Sequence, residues 1–257
     1  MITAGIDCGA KNTKTVIIED GQIIGKGSVL TGFDQQKAVA DSLDRAIKAA
    51  GISNHDIKRI IGTGSGQKAI KMAADTINEI TAMARAANFH NPNARTVADV
   101  GAEEGRAAKI DENGEPLDFV INEKCAAGAG AFVEAMARAL EVTLEDMGPL
   151  SLQSDKEIPM NAQCVIFAES EVVGLIHAKT PKPDISKAIH DAIANRIVSM
   201  IRRIGVYEDV IIVGGVGRNP GFLASMKREL KLDKLYVPDE PEFGAATGAA
   251  VVAAETA

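Results

Sequence analysis

Residues 2–29 read ITAGIDCGAKNTKTVIIEDGQIIGKGSV and carry the pattern on which the architecture of the chain depends. The first apolar run predicts a strand that ends at Asp7-Cys8-Gly9, and residues 15–19 predict a second strand. Asp20-Gly21 then predicts a two-residue hairpin turn, because a type I′ turn needs positive φ at both central positions. With a returning strand over residues 22–29, the chain opens with a β-hairpin unit and an acidic, glycine-containing corner.

The same pattern returns in the middle of the chain. Asp99-Val100-Gly101 lies 92 residues after the first corner, and Asn113-Gly114 lies 93 residues after the first turn. The flanking strands are expected at residues 96–98, 106–110 and 117–121. A matched corner together with a matched turn indicates an internal repeat. The sequence therefore predicts two copies of one hairpin-led α/β unit.

Helices and one further strand fill the remaining chain. Helical spacing of apolar residues predicts helices over residues 37–50, 75–87, 130–140, 168–177, 185–204 and 244–254. A buried strand over 210–213 opens into Gly214-Gly215. Because the chain has no low-complexity linker, we expect two closely joined lobes with a nucleotide cleft. Residues 1–96 plus 244–257 would form lobe I, and residues 97–243 would form lobe II.

Composition narrows the class of protein. The 257 residues are 46% hydrophobic and provide enough chain for two cores. A formal net charge of −7 argues against nucleic acid or an anionic membrane as a partner. No apolar run approaches the roughly 20 residues of a spanning helix. The start does not resemble a signal peptide, and three cysteines fit a reducing compartment, so a cytoplasmic protein is expected.

Both acidic corners offer the groups that nucleotide phosphates require, which are backbone N–H donors next to glycine and a carboxylate for hydrated Mg²⁺. A single corner could be a turn with a capping Asp, but the repeated pair favours phosphate binding, with Asp7 and Asp99 as catalytic residues. The candidate phosphate contacts of the first loop are Gly9, Ala10, Lys11, Asn12, Thr13 and Lys14. Those of the second lobe are Gly101, Ala102, Gly214, Gly215 and Val216.

Other glycine patterns are weaker. Residues 62–68 resemble a phosphate loop but lack its spacing and its terminal Ser or Thr, which favours a flexible strand–helix turn. Residues 214–217 do not match the dinucleotide fingerprint, which argues against a nicotinamide enzyme.

Two cysteines precede predicted helices. Cys125 comes before the helix at 130–140, and Cys164 comes before the helix at 168–177. A helix N-terminus favours a thiolate by about 0.3–1 kcal/mol. Ordinary buried thiols are the alternative, and Cys8 is expected to be such a core residue. Two cysteines cannot complete the four thiolates of a [4Fe–4S] cluster, so metal binding would require a partner subunit.

These motifs together resemble the ATPase components of benzoyl-CoA reductases and the activators of 2-hydroxyacyl-CoA dehydratases. The resemblance rests on residues 5–9, 97–101, 124–128, 167–172, 213–216 and 244–250. It implies an actin-like ATPase fold of duplicated ribonuclease H-like domains. It also implies a dimer that binds ATP, ADP and Mg²⁺ and shares one [4Fe–4S] cluster through Cys125 and Cys164. An electron donor such as ferredoxin and an acyl-CoA reductase or dehydratase would be its partners.

The resemblance extends the predicted nucleotide site to Gly128, Gly130, Asn219 and Gly244. Activators usually carry glycine and glutamine where this chain has Ala102-Glu103, and a Ser/Thr-rich loop where it has residues 10–12. Glu103 is therefore a candidate catalytic base in place of a water-orienting glutamine. Residues 99–107 look closer to the reductase ATPases, which favours a benzoyl-CoA reductase subunit in a hetero-pair over a dehydratase activator.

Two functions outside this family remain open. A small-molecule kinase of the same fold would need a general-base Asp near a sugar pocket, and it would be excluded by an oxygen-labile cluster. An actin-like assembly or nucleotide-sensing regulator would polymerise or respond to ATP without any cluster.

Overall fold

The computed structural model describes residues 1–122, 130–160 and 165–257. The chain forms two compact units. Unit 1 comprises Met1–Val97, Ile110–Leu117 and Glu242–Ala257, and unit 2 comprises Ala98–Lys109 and Asp118–Pro241. Within the ranges described, no helix is both long enough and apolar enough to cross a membrane.

Unit 1 contains a five-stranded sheet in the order β3-β2-β1-β4-β5. Its strands are β1 (Ile2–Cys8), β2 (Asn12–Glu19), β3 (Gln22–Leu30), β4 (Arg59–Thr63) and β5 (Asp75–Thr76). β1 pairs antiparallel with β2 and parallel with β4. The turn between β2 and β3 has φ of 48° at Asp20 and 81° at Gly21, as the type I′ prediction requires.

Three helices complete unit 1, namely α1 (Gln35–Ala50), α2 (Glu79–His90) and α8 (Gly244–Glu255). The small residues of α8 allow its backbone to approach its neighbours closely. A Cβ atom at Gly5 of β1 would lie 2.1 Å from the Ala246 carbonyl oxygen, and one at Gly248 would lie 1.8 Å from the Ala82 oxygen. Glycine is required at both contacts because a side chain there would overlap backbone atoms.

The predicted helix at 75–87 is wrong at its start. Residues 75 and 76 pair with β4 as the short strand β5, and α2 begins at Glu79. The side chain of Asn78 caps this helix by accepting a hydrogen bond of 2.8 Å from the Thr81 N–H. Pairing with a neighbouring strand therefore overrides the helical pattern before Asn78.

Unit 2 is built around a sheet in the order β8-β7-β6-β9, and its described residues form five α-helices. The strands are β6 (Thr96–Val100), β7 (Gly105–Ile110), β8 (Pro116–Asn122) and β9 (Val210–Val213). The helices are α3 (Gly130–Ala139), α4 (Leu144–Ser151), α5 (Val165–His177), α6 (Lys182–Ile204) and α7 (Pro220–Leu230). The apolar face of α6 is buried in one core with Phe132 and Phe222. Sequence patterns missed β4, α4 and α7.

The turn between β7 and β8 differs from the first hairpin. Gly114 has φ of 75°, whereas Asn113 keeps negative φ. The Asp111 carboxylate accepts hydrogen bonds from the backbone N–H groups of Asn113 and Glu115. The bond from Glu115, with help from Asn113, holds the pKa of Asp111 below its usual value. The two hairpins thus share their place in the repeat but not their turn type.

Candidate nucleotide site

The acidic corner of unit 1 pairs a buried carboxylate with a cation. Asp7 is the second-last residue of β1 and is 7% exposed. Its cross-strand partner on β2 is Lys14, whose Nζ lies 3.2 Å from Asp7 Oδ2. The register of the hairpin therefore brings the two predicted site residues together.

The hydroxyl groups of Thr13 and Thr31 support the loop that follows Asp7. The Gly9 N–H donates to the Asn12 carbonyl at 3.2 Å and closes the loop. Thr31 donates to the Gly9 carbonyl at 2.7 Å, and its Oγ1 lies 2.9 Å from Thr13 Oγ1. Thr13 is fully buried, and its hydroxyl supports the loop from inside the protein through these contacts.

The remaining residues of this loop differ in exposure. Ala10 and Lys11 are exposed at its tip. Cys8 is buried, as expected, and Thr13 donates to its Sγ at 3.6 Å. Burial raises the pKa of the Cys8 thiol, the hydrogen bond from Thr13 lowers it, and the charge of Asp7 adds to the increase. This thiol is therefore a packed core group.

Gly64 lies against Asp7, although the sequence pattern of residues 62–68 predicted only a flexible turn. Gly64 follows β4 with φ of 92°, and a Cβ there would lie 2.4 Å from Asp7 Oδ1 and 2.6 Å from the Cys8 carbonyl oxygen. The Gly66 N–H donates to the same Cys8 oxygen at 2.8 Å. The segment 62–68 thus supports the acidic corner. Gly64 comes directly after a strand, as Gly214 does, and this shared position in the sequence could have identified Gly64 as a site residue.

Unit 2 repeats this construction around Asp99. Asp99 is 7% exposed, and Arg106, seven residues later, places Nη1 at 3.6 Å from Asp99 Oδ2. Gly214 follows β9 with φ of 87°, and a Cβ there would lie 2.4 Å from Asp99 Oδ1 and 2.5 Å from the Val100 carbonyl oxygen. Carboxylate, cation and positive-φ glycine therefore occur in the same arrangement in both units.

The second loop is also closed as the first is, since the Gly101 N–H donates to the Glu104 carbonyl at 3.0 Å. Glu104 then uses its side chain to bind Arg106, with Oε2 at 2.6 Å from Nη2. Glu103, the predicted catalytic residue, is exposed to solvent, whereas its neighbour Glu104 binds Arg106. This contact of Glu104 was not predicted from the sequence.

The start of α3 lies against this second loop. Gly130 and Ala131 donate their N–H groups to the carbonyl oxygens of Gly101 and Ala102, at 2.8 and 2.9 Å. A Cβ at Gly130 would lie 3.4 Å from Val216. Of the predicted nucleotide-binding residues, Gly101, Ala102, Gly130, Gly214 and Val216 are therefore brought together in unit 2.

Three other predicted residues lie in different surroundings. A Cβ at Gly215 would have no atom within 4 Å, so this glycine borders open space. Asn219 caps α7 by accepting hydrogen bonds from the Gly221 and Phe222 N–H groups, at 2.9 and 3.1 Å. Its side-chain oxygen is thus used within the protein. Gly244 is buried as the first residue of α8, in unit 1.

The predicted cluster ligands Cys125 and Cys164, together with Gly128, lie outside the described residues. The helices that follow them are described, and α5 begins at Val165, immediately after Cys164. No group of three or more His, Cys, Asp or Glu side chains suited to a metal ion occurs in the described ranges.

Two units that each begin with an acidic β-hairpin corner define an actin-like ATPase fold, and this prediction is confirmed. A ROK family glucokinase from Streptomyces griseus has the same fold, with a TM-score of 0.61 over 99% of this chain and all of that one at 13% identity. The chain belongs to the BadF/BadG/BcrA/BcrD ATPase family, whose sequence profile matches residues 4–253. The family predicted from the sequence is therefore confirmed as well.

Relatives within the family refine this assignment. The chain is 35% identical to the 2-hydroxyisocaproyl-CoA dehydratase activator of Clostridioides difficile, over 100% of this chain and 96% of that protein. It is also 35% identical to the activator of lactoyl-CoA dehydratase of Anaerotignum propionicum, over 100% and 99%. A benzoyl-CoA reductase subunit of Thauera aromatica is 30% identical over 95% and 90%.

A solved structure is similar over the whole chain. The activator of the 2-hydroxyisocaproyl-CoA dehydratase from Clostridium difficile with bound ADPNP has a TM-score of 0.93 over 100% of this chain and 95% of that one. This chain is therefore an ATP-binding ATPase of the activator type. The sequence prediction preferred a benzoyl-CoA reductase subunit, but the comparisons favour its alternative, because the two dehydratase activators are more similar to this chain than the reductase subunit is.

Proposed function

We propose that the chain is the ATP-hydrolysing activator of a 2-hydroxyacyl-CoA dehydratase and transfers electrons to that enzyme at low potential. The observation that carries the proposal is the repeated corner, in which a buried carboxylate, a cation seven residues later and a positive-φ glycine recur around Asp7 and Asp99. Similarity to two dehydratase activators supports the choice of partner.

In this proposal the two corners serve ATP and hydrated Mg²⁺. Carboxylate oxygens are the ligands that Mg²⁺ prefers, and the ion usually retains several of its waters. Asp7 and Asp99 are suited to bind such waters, and Lys14 would act as a point charge on the phosphates. The N–H groups of loop residues 9–12 and 101–104 that do not close their own loops are further candidate phosphate donors.

Electron transfer requires a redox centre, which we assign to a [4Fe–4S] cluster that two subunits share through Cys125 and Cys164. Two thiols per chain supply half of the four ligands. The beginning of α5 directly after Cys164 supports the assignment, because a helix N-terminus stabilises a thiolate. When bound, the cluster supplies a one-electron carrier that a donor such as ferredoxin can reduce.

Dimer formation is supported by the surface of α5. Ile166 and Phe167 are 71% and 64% exposed, and Val173 and Ile176 are also exposed on the same helix. An apolar helix surface of this kind is typical of a contact with another protein. We propose that a homologous ATPase subunit covers it.

ATP hydrolysis is tested with isosteric variants of both corners. Asp7→Asn and Asp99→Asn should each lose most of the ATP turnover, because the amide is a weaker partner for hydrated Mg²⁺. Asp20→Asn, which changes an exposed carboxylate in the first hairpin turn, should retain the wild-type rate. Wild-type turnover in Asp99→Asn would contradict the role of the second corner.

The cluster is tested by iron content after anaerobic purification. Cys125→Ser and Cys164→Ser should each lose iron and visible absorption, whereas Cys8→Ala should retain both because Cys8 is a buried core thiol of unit 1. Stoichiometric iron in both ligand variants would refute the assignment. A colourless, iron-free wild-type protein would leave a nucleotide-binding protein without electron transfer.

The partner is tested by reconstitution. Dehydration of a 2-hydroxyacyl-CoA by its dehydratase should start only when this chain, ATP and a low-potential reductant are all present. If the chain instead supports ATP-dependent ring reduction by a benzoyl-CoA reductase, the reductase assignment is correct and the activator assignment is wrong.

A further inference from the structure

The two acidic corners match in backbone but differ in the charges around them. Gly9 and Gly101 each donate to the carbonyl three residues later, on Asn12 and Glu104 respectively. The equivalent positions therefore carry an amide in unit 1 and a carboxylate in unit 2. Two residues further on, unit 1 has Lys14 and unit 2 has an arginine.

Arg106 lies between two carboxylates. Its Nη2 is 2.6 Å from Glu104 Oε2, its Nη1 is 3.6 Å from Asp99 Oδ2, and its side chain is only 9% exposed. The shorter contact pairs the guanidinium with Glu104, whose side chain is 42% exposed, and the longer one acts on Asp99 mainly by charge. The planar guanidinium presents two donor atoms in fixed directions, which an ammonium group cannot do.

We propose that Arg106, anchored by Glu104, is a positioning residue for ATP hydrolysis that orients the Asp99 carboxylate. This inference rests on the proposed ATPase function and assigns the orientation of Asp99 to a pair of residues found only in the second copy of the repeat. Lys14 contacts Asp7 without a neighbouring carboxylate at the position of Asn12, so unit 1 lacks this anchor.

Two groups around Asp99 act on different oxygens of its carboxylate. Gly214 limits the space at Oδ1, where a Cβ would lie 2.4 Å away. Arg106 acts on Oδ2 from the other side. If Glu104 no longer holds Arg106, the guanidinium can turn and Asp99 can rotate away from a magnesium-bound water. Hydrolysis should then slow while ATP itself still binds, because the other loop groups are unchanged.

The test compares Glu104→Gln, Arg106→Lys and the double variant. Each single variant should lower kcat for ATP by roughly ten- to a hundredfold, as expected for a small misplacement of a reacting group. The Mg²⁺ concentration for half-maximal rate should rise, and KM for ATP should stay within about twofold. The double variant should be no slower than the slower single variant, because both changes break one interaction.

Arg85→Lys is the matched control. Arg85 also lies between two carboxylates, with Nη2 at 3.0 Å from Glu115 and 2.7 Å from Glu255, and both of these partners belong to unit 1 and to neither acidic corner. It should leave kcat and Mg²⁺ dependence unchanged. Equal effects of Arg85→Lys and Arg106→Lys would reduce Arg106 to a structural role and overturn the inference.

Two outcomes separate this inference from the function on which it rests. If the wild-type chain hydrolyses ATP and Glu104→Gln has the wild-type kcat and Mg²⁺ dependence, the positioning role is refuted and the ATPase proposal stands. If the wild-type chain neither binds nor hydrolyses ATP, both are refuted.

Discussion

Replacing Gly214 with alanine should damage both the stability of unit 2 and its acidic corner. Gly214 has φ of 87°, and a Cβ would lie 2.4 Å from Asp99 Oδ1 and 2.5 Å from the Val100 oxygen. Its ψ is 158°, and this combination of φ and ψ, which is essentially restricted to glycine, costs an alanine about 1–3 kcal/mol. Overpacking typically costs about 1–3 kcal/mol more. The expected loss is about 2–6 kcal/mol, a large part of the roughly 5–15 kcal/mol that stabilises most proteins.

The same substitution displaces the carboxylate. Because Cβ atoms essentially never lie closer than 3.0 Å to such neighbours, a separation of 2.4 Å requires Asp99, the backbone at residue 214 or both to shift by about 0.6 Å in total. Because a displacement of about 1 Å can cost a hundredfold in rate, we expect ATP turnover to fall by roughly tenfold or more. Thermal unfolding and steady-state ATP turnover measure the two effects on one preparation.

Gly215→Ala provides the control for stability. A Cβ at this neighbouring position would have no atom within 4 Å, so the melting temperature should stay within about 2 °C of wild type. Gly214→Ala should lower it by roughly 4–24 °C, since about 2–4 °C corresponds to 1 kcal/mol in a protein of this size. Wild-type melting and wild-type turnover in Gly214→Ala would refute the reasoning.

Three further outcomes are expected. Asp191→Ala should lower the free energy of unfolding, measured in urea, by about 3 kcal/mol or more. The Lys187 ammonium is only 9% exposed, and the substitution removes the carboxylate that lies 2.9 Å from it. A loss below about 1 kcal/mol would contradict this reasoning. Burial lowers the pKa of His190 from 6.5, so the unfolded chain binds a proton that the native chain does not, and stability should decline as pH falls below about 6.5. His190→Leu should reduce this decline, and identical pH slopes would refute the cause. Gly174→Ala in α5, where a Cβ meets nothing within 4 Å, should raise the free energy of unfolding by about 0.5–1 kcal/mol, and a lower melting temperature would contradict it.

Local patterns were sufficient for much of the fold. The Asp20-Gly21 turn, the strands on both sides of it and the helices around 35–50 and 244–255 follow from turn chemistry and apolar spacing, which act over a few neighbouring residues. The start of α2 was placed wrongly because residues 75 and 76 pair with β4, a contact that no local pattern carries.

The acidic corners were also predictable only in part from the sequence. The spacing of Asp7 and Asp99 within the repeat is visible in the sequence, and so are Lys14 and the glycines of both loops. The roles of Gly64 and Thr13 were not visible, since each depends on which strand or hydroxyl lies behind the corner.

Sequence alone was enough for the duplicated hairpin unit, the family and the pair of acidic corners, because these are recorded in residue types at short, regular spacing. The folded backbone of the second loop selects Glu104 over Glu103 as the partner of Arg106, and the folded units place Gly64 and Gly214 against the two carboxylates. The physical reason is that Glu103 lies in the bend of a loop that the Gly101–Glu104 hydrogen bond closes, and that β1 meets β4 only after a long stretch of intervening chain has folded.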